Sequence, residues 1–261
     1  MNYLSVNSIS KSYGIKTLFA DVTFGIEKGD KTALIATNGS GKSTMLKILV
    51  GKESPDPGTI TYANDIKIGY LEQLPVYPAR TRISDLLADL NEDQHLKARQ
   101  YLTRFALDDL EQSVDELSGG QVKRLALALV LLHEPDFLIL DEPTNHLDVE
   151  MVEWLEKFLT QSSMTLLMVT HDRYFLDRVC NKIFELYQGV MYTHNGNFDY
   201  YVRKSREREE VKRATAERNS QLLKYELEWM RSTPQARTGK SKSRIDAFYD
   251  LKERSRYQEQ S

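Results

Sequence analysis

The run KTALIATNGSGKST, Lys31 to Thr44, constrains this chain more than any other stretch. KTALIA is apolar and β-prone, and KSTMLKILV beyond the loop has helical spacing, so the order is strand, glycine-rich loop, helix. Such a loop turns its backbone N–H groups, together with the N-terminus of the following helix, toward a phosphate. Lys42 is placed to reach β- and γ-phosphates, and the Ser43 hydroxyl to meet Mg²⁺. The candidate contacts run through Asn38, Gly39, Ser40, Gly41, Lys42, Ser43 and Thr44. One position departs from the usual Gly-x4-Gly-Lys-Ser/Thr pattern, because Ala36 stands where the first glycine is expected. The phosphate-wrapping amides lie later, around Gly39 and Gly41, and alanine is the smallest replacement, so the loop is read as a competent variant.

A second motif is FLILDEPTNHLD, Phe137 to Asp148. Its apolar half reads as a buried strand, and it ends in two adjacent carboxylates that are costly to bury unless a metal or water meets them. Asp141 can hold Mg²⁺ through water, and Glu142 can polarise an attacking water. Between the two motifs lies LSGGQ, Leu117 to Gln121, opening the helical run VKRLALALVLL. Bare amides at Gly119 and Gly120 and the Ser118 hydroxyl form a second anion cradle, although composition alone leaves a plain helix N-cap equally open.

The flanking pattern is α/β. Residues 3–35 contain short β-rich runs, PDPGTITYANDIKIGYLEQ reads as a hairpin, and Thr81 to Leu110 reads as two or three helices. A helix through Val130, the strand at Phe137, a further helix and the buried strand TLLMVT complete a βαβ alternation with helices on a mostly parallel sheet. Beyond Tyr200 the strand signal ends. Asp199 to Met230 reads as one long charged helix, stopped at Ser232-Thr233-Pro234, with a second helix from near Ser243, an αα-hairpin.

Charge divides along the same line. Residues 1–200 carry 19 basic and 28 acidic side chains, a balance of −9, while residues 201–261 carry 16 and 10, a balance of +6. From Met230 to Ile245 there are Arg231, Arg237, Lys240, Lys242 and Arg244 and no acid, so a polyanion is the natural partner. No apolar run reaches membrane-spanning length, no secretory leader is visible, and Cys180 is the only cysteine, which excludes internal disulfides and suits a cytoplasmic protein. His95, His133, His146 and His194 lack metal-like spacing and are read as structural.

The ordered set of phosphate loop, Gln73 in YLEQ, LSGGQ, LILDEP, Asp148 in NHLD and His171 in VTHDR resembles the ATP-binding cassette domain of P-loop NTPases over residues 1–197. The resemblance implies a cassette with a helical subdomain at about 81–130 and an antiparallel β subdomain. It implies ATP as substrate, Tyr13 stacked on adenine, Gln73 touching Mg²⁺ and the γ-phosphate, and His171 steadying the γ-phosphate and attacking water. Cassettes of this kind work head to tail, so Ser118, Gly119, Gly120 and Gln121 would close over a partner's ATP, with Asp148 across the pair interface.

NHLD and the helical appendage resemble the soluble ABC-F family, and ELEWMRSTPQARTGKSKSRIDAF resembles the linker of its Uup-type branch. On that resemblance residues 198–261 are a truncated interdomain linker. A second cassette is expected, either later in the same full-length chain or in a homodimer. The implied function is ATP hydrolysis on the ribosome as a translation factor, the linker's basic residues contacting tRNA and rRNA. An ATP-dependent DNA-associated switch and the ATPase subunit of a transporter are the alternatives.

Overall fold

Two five-residue strands, Phe137–Asp141 (β6) and Thr165–Val169 (β7), are buried at every position. A strand covered on both faces belongs in the middle of a sheet whose two sides are packed, which explains why both read as unbroken apolar runs rather than as alternation. The computed structural model describes residues 1–231, 247–249 and 252. It divides into two units, Met1–Asp199 and Tyr200–Ser261.

In the first unit, β6 and β7 lie inside a six-stranded sheet of order β5-β6-β7-β3-β8-β9, where β5 is Ile68–Leu71, β3 Lys31–Ala36, β8 Lys182–Tyr187 and β9 Val190–Asn195. All its pairings are parallel except the closing β8–β9 hairpin. A separate antiparallel sheet of order β2-β1-β4 is made from Asn2–Tyr13 (β1), Lys16–Glu27 (β2) and Thr59–Tyr62 (β4). One core cluster joins the two sheets. It contains Leu4, Val6 and Ile9 of β1, Phe19 and Val22 of β2, Phe137 and Ile139 of β6, and Met45, Leu46 and Leu49 of the helix Lys42–Leu49 (α1).

Two expectations are corrected. The stretch PDPGTITYANDIKIGYLEQ is not a hairpin: β4 pairs with β1, Leu4 opposite Tyr62, while β5 pairs in parallel with β6, Ile68 beside Phe137. The chain leaves one sheet at Tyr62 and enters the other at Ile68, because each strand has a better-covered neighbour elsewhere than in its sequence successor. The second correction concerns Thr81–Leu110, which forms one α-helix, Glu92–Arg104 (α2), and one 3₁₀ turn, Asp85–Leu87. Apolar residues at 83, 86, 87 and 90 have helical spacing, but the Ile83 and Ser84 N–H groups donate to the carbonyls of Gln112 and Leu110, and Arg82 bridges Ser113. With those backbone donors and that bridge tied to the 110–113 segment, little more than one turn remains. α2 starts cleanly, at a capping box in which Asn91 and Gln94 exchange side-chain to backbone bonds.

Three more helices complete this unit: Gly119–Leu132 (α3), Val149–Gln161 (α4) and Arg173–Val179 (α5). Most of the second unit's described residues lie in the helix Phe198–Arg231 (α6), 34 residues long, matching the expected charged helix to within a residue at each end. Its surface carries Lys204–Glu207 and Arg213–Glu217 ion pairs at i,i+3 and i,i+4, exposed contacts that water screens and that add little to the helix. Of the expected second helix, residues 247–249 and 252 are helical, and the rest, with Ser232-Thr233-Pro234, falls outside the described residues. Among the described residues, no helix is long and apolar enough to cross a membrane.

Candidate functional site

Four neighbouring strands, β5, β6, β7 and β3, run parallel and therefore end on the same edge of the sheet. Ligands of open α/β sheets collect at that carboxyl edge. Just past these ends come, in spatial order, Gln73, Asp141 with Glu142, His171, and the loop from Thr37 to Gly41. One cleft is lined by Asn38, Gly39, Gly41, Lys42, Ser43, Thr44, Gln73, Asp141, Glu142, Val169 and His171. Residues from four separate parts of the sequence are thus brought together.

Local geometry makes the loop. Gly39 and Gly41 have φ of 75° and 96°, values at which a side chain is strained, and a Cβ on Gly41 would stand 2.9 Å from Leu18 Cδ1. Gly41 is the N-cap of α1 and supplies no side-chain cap, so the first amides of the helix stay open toward the cleft. The Ser40 hydroxyl is buried with no hydrogen-bond partner. Lys42 Nζ donates to the carbonyl oxygens of Ala36 at 3.0 Å and Thr37 at 3.4 Å, and burial lowers its pKa despite the nearby Glu142 and Asp141.

Asp141 ends β6 and is 2% exposed, and its Oδ1 is buried without a partner. Burial raises its carboxyl pKa, against a hydrogen bond from Ser43 and the charges of Lys123, Lys42 and Lys47. Glu142 is 4% exposed and holds φ at 47°, a strained value for a residue with a side chain. Its N–H donates to Val169 O at 2.8 Å, which ties the end of β6 to β7. The His171 N–H donates to Glu142 Oε2 at 3.3 Å, and His171 Nε2 lies 3.4 Å from Glu142 Oε1. Burial raises the Glu142 pKa, and His171 pulls against it.

The other expected site residues are not part of this cleft lining, although Tyr13 borders it through a hydrogen bond with Thr44. Tyr13 is half exposed; its hydroxyl hydrogen-bonds Glu53, with Lys11 Nζ 5.5 Å from the ring centroid, and the Glu53 bond is the main reason its pKa is raised. LSGGQ forms a capping box on α3: Gln121 N–H donates to Ser118 Oγ at 3.3 Å, and Ser118 N–H to Gln121 Oε1 at 2.9 Å. Asp148 caps α4, accepting from Met151 N–H at 2.9 Å, and pairs with Arg124 at 2.9 Å. Arg231 ends α6, while Arg237, Lys240, Lys242 and Arg244 lie outside the described residues.

One residue escaped the sequence reading. Lys123, on α3, is 1% exposed, and its Nζ donates to the carbonyls of Glu72, Gln73 and Asp141 at 2.6, 3.1 and 2.9 Å. Burial pulls its pKa down to about 8. A signal was available, since Lys123, Ala126 and Leu127 share the buried face of a helix at i, i+3 and i+4, with half-buried Val130 at i+7.

The residues present fit a divalent cation beside a polyphosphate. A buried carboxylate oxygen without a partner, a serine hydroxyl on the same carboxylate and an amide side chain are hard oxygen donors of the kind Mg²⁺ takes, with the remainder left to water and substrate. Among the described residues no cluster of three His, Cys, Asp or Glu suggests a different metal.

Comparison with known proteins bears on the family and the fold. Residues 19–145 match the ABC transporter family, and residues 184–261 match its extension, also described as ABC transporter. An uncharacterized ABC transporter ATP-binding protein, YfmR, from Bacillus subtilis is 38% identical over 98% of this chain and 47% of its own length. The energy-dependent translational throttle protein EttA of Mycobacterium tuberculosis is 34% identical over 95% and 52%, and the ATP-binding protein Uup of Buchnera aphidicola 30% identical over 94% and 43%. The chain therefore spans about half the length of the curated relatives it matches. Among solved structures, an ATP-binding subunit of an ABC transporter superposes with a TM-score of 0.69 at 25% identity, covering 77% of this chain and 92% of that one.

Proposed function

The chain belongs to the ABC-F family of ATP-binding cassette proteins, and on that premise we propose that it binds and hydrolyses ATP in the cleft at the carboxyl edge of its parallel sheet. The observation that carries this reading is the pairing of an open, glycine-shaped helix N-terminus with the buried, unpartnered Asp141 Oδ1 in one cleft. Loop amides and Lys42 hold the β- and γ-phosphates, with Tyr13 beside the adenine. Ser43, Gln73 and Asp141 would hold Mg²⁺, which would supply positive charge to offset that developing between the β- and γ-phosphates. Glu142 orients the attacking water and takes its proton, and His171, in contact with both Glu142 oxygens, keeps that carboxylate aimed. Ser118, Gly119, Gly120, Gln121 and Asp148 face a second cassette, from the same longer chain or from a second copy, so that two nucleotides are enclosed between two cassettes.

The biological role proposed is that of a cytoplasmic translation factor. A relative named as an energy-dependent translational throttle supports it, as does the basic run Arg231, Arg237, Lys240, Lys242 and Arg244, which suits the phosphate backbone of tRNA and rRNA. The test is co-sedimentation of the full-length Glu142→Gln protein with ribosomes in ATP, against binding to duplex DNA at the same salt. Ribosome association lost on reversing the charge at Arg237, Lys240 and Lys242 is the expected result. DNA binding without ribosome binding would replace the translational reading with a DNA-associated switch.

A further inference from the structure

α3 is apolar along its buried face except at its fifth residue, Lys123. An ammonium group has three protons to donate, and here all three find backbone carbonyls: Glu72 and Gln73 just beyond β5, and Asp141 at the end of β6. Methionine would fill the same volume on this helix at no cost in desolvation, so packing does not explain a buried charge at this position. What the charge does is pull together two chain segments that leave adjacent parallel strands in the same direction, and whose next side chains, Gln73 and Asp141, both line the cleft. Backbone carbonyls held by a common cation cannot move apart without stripping the buried ammonium of a hydrogen bond.

We propose that Lys123 is a positioning residue, whose ammonium fixes the backbone of Gln73 against that of Asp141 so that the two side chains can share one divalent cation. The inference rests on the reading of the cleft as a Mg²⁺–ATP site. Lys123 touches neither nucleotide nor metal; it acts through the two residues that do. Groups that hold a metal's own ligands in place usually matter about 10- to 100-fold in metal affinity or activity, and that is the effect expected here.

The experiment measures affinity of the full chain for a fluorescent ATP analogue in EDTA and in saturating MgCl₂, the ratio giving the gain due to the metal. In Lys123→Met the gain is expected to fall by about 10-fold or more, while metal-free affinity stays within about threefold. Lys123→Arg, which keeps charge and donors, is expected to recover much of the gain; Lys123→Gln, which keeps fewer donors, is read in place of Lys123→Met if the latter does not fold. A wild-type gain preserved in folded Lys123→Met or Lys123→Gln, even with a lower melting temperature, would show a residue that only supports the fold and would overturn the proposal alone. A wild type with no gain from Mg²⁺ would instead overturn the reading of the cleft and the proposal with it.

Discussion

A Cβ added to Gly120 would stand 2.5 Å from the carbonyl oxygen of His146, whereas one added to Gly119 would meet nothing within 4 Å. The start of α3 is therefore pressed against the loop that follows Glu142, and His146, at a φ of 64°, leaves that backbone little freedom to retreat. Gly120→Ala is expected to cost about 1–3 kcal/mol of stability, the usual range for overpacking. Gly119→Ala is expected to be neutral or to gain up to ~1 kcal/mol from helix propensity. Urea titration of the two variants checks this, and equal midpoints would refute the contact. If the same amides serve a partner's nucleotide, Gly119→Ala lowers ATPase activity in the paired protein without lowering its midpoint.

The loop variant at Ala36 yields a second contrast. Ala36 is the last residue of β3, pairs with Leu186, lies outside the left-handed region and packs its methyl group on the core. Its contribution to the loop is its carbonyl, which Lys42 reaches and which any residue would supply. Ala36→Gly should leave ATP affinity within about threefold and lower stability by ~0.5–1 kcal/mol, the entropic cost of glycine in a strand. Gly41→Ala, with both a positive φ and a close Leu18, should instead remove most nucleotide binding. Titration with a fluorescent ATP analogue separates the two, and a large gain of affinity in Ala36→Gly would mean that the alanine does impair the loop.

How much of this site could be read in advance follows from where its parts sit. The motifs at Asn38–Thr44, Asp141–Glu142 and His171 each follow a short apolar run, and parallel strands carry such followers to one edge whatever the intervening sequence does. Alternation, by contrast, marks a strand as half-buried without naming its partner, so Thr59–Tyr62 and Ile68–Leu71 looked like a hairpin while belonging to different sheets. The apolar spacing at 83–90 was equally blind to the 110–113 segment that takes its backbone donors. For Lys123 the helical spacing marks a buried face but not a role, because a lysine is ordinarily solvated and its three acceptors are backbone atoms, which leave no mark on sequence.

Cys180 gives a check on the core that is independent of nucleotide. Its side chain is 5% exposed, and burial pushes the thiol up to about 12, only partly offset by Lys31. At pH 8 that leaves roughly one thiolate in ten thousand, and the thiolate is the reacting form. The native protein should resist a thiol-specific reagent at pH 8 over hours, and should react within minutes in 6 M-scale denaturant. Because a raised thiol pKa favours the neutral form, native reactivity should climb only as the pH rises toward that value. Rapid labelling at pH 8 under native conditions would mean that the region around α5 and β8 opens readily.

The Glu142–His171 contact gives the sharpest test of turnover. Glu142 is held by its own N–H on Val169, by the His171 N–H and by the imidazole 3.4 Å away, so its direction is set from both sides of the carboxylate. Glutamine at 142 has nearly the same shape but cannot accept a proton. Glu142→Gln should therefore retain ATP affinity within a few fold and lose turnover by about 10²–10⁴-fold, the range of general-base catalysis. His171→Ala removes the imidazole while keeping the backbone donor, so it should lower kcat by less than Glu142→Gln and leave binding in EDTA unchanged. The double variant should be no slower than Glu142→Gln, because a group that acts by aiming a base has no effect once the base is gone. Rates that multiply in the double variant would show that His171 acts on the nucleotide directly, with Glu142 as a neighbour and not as its means.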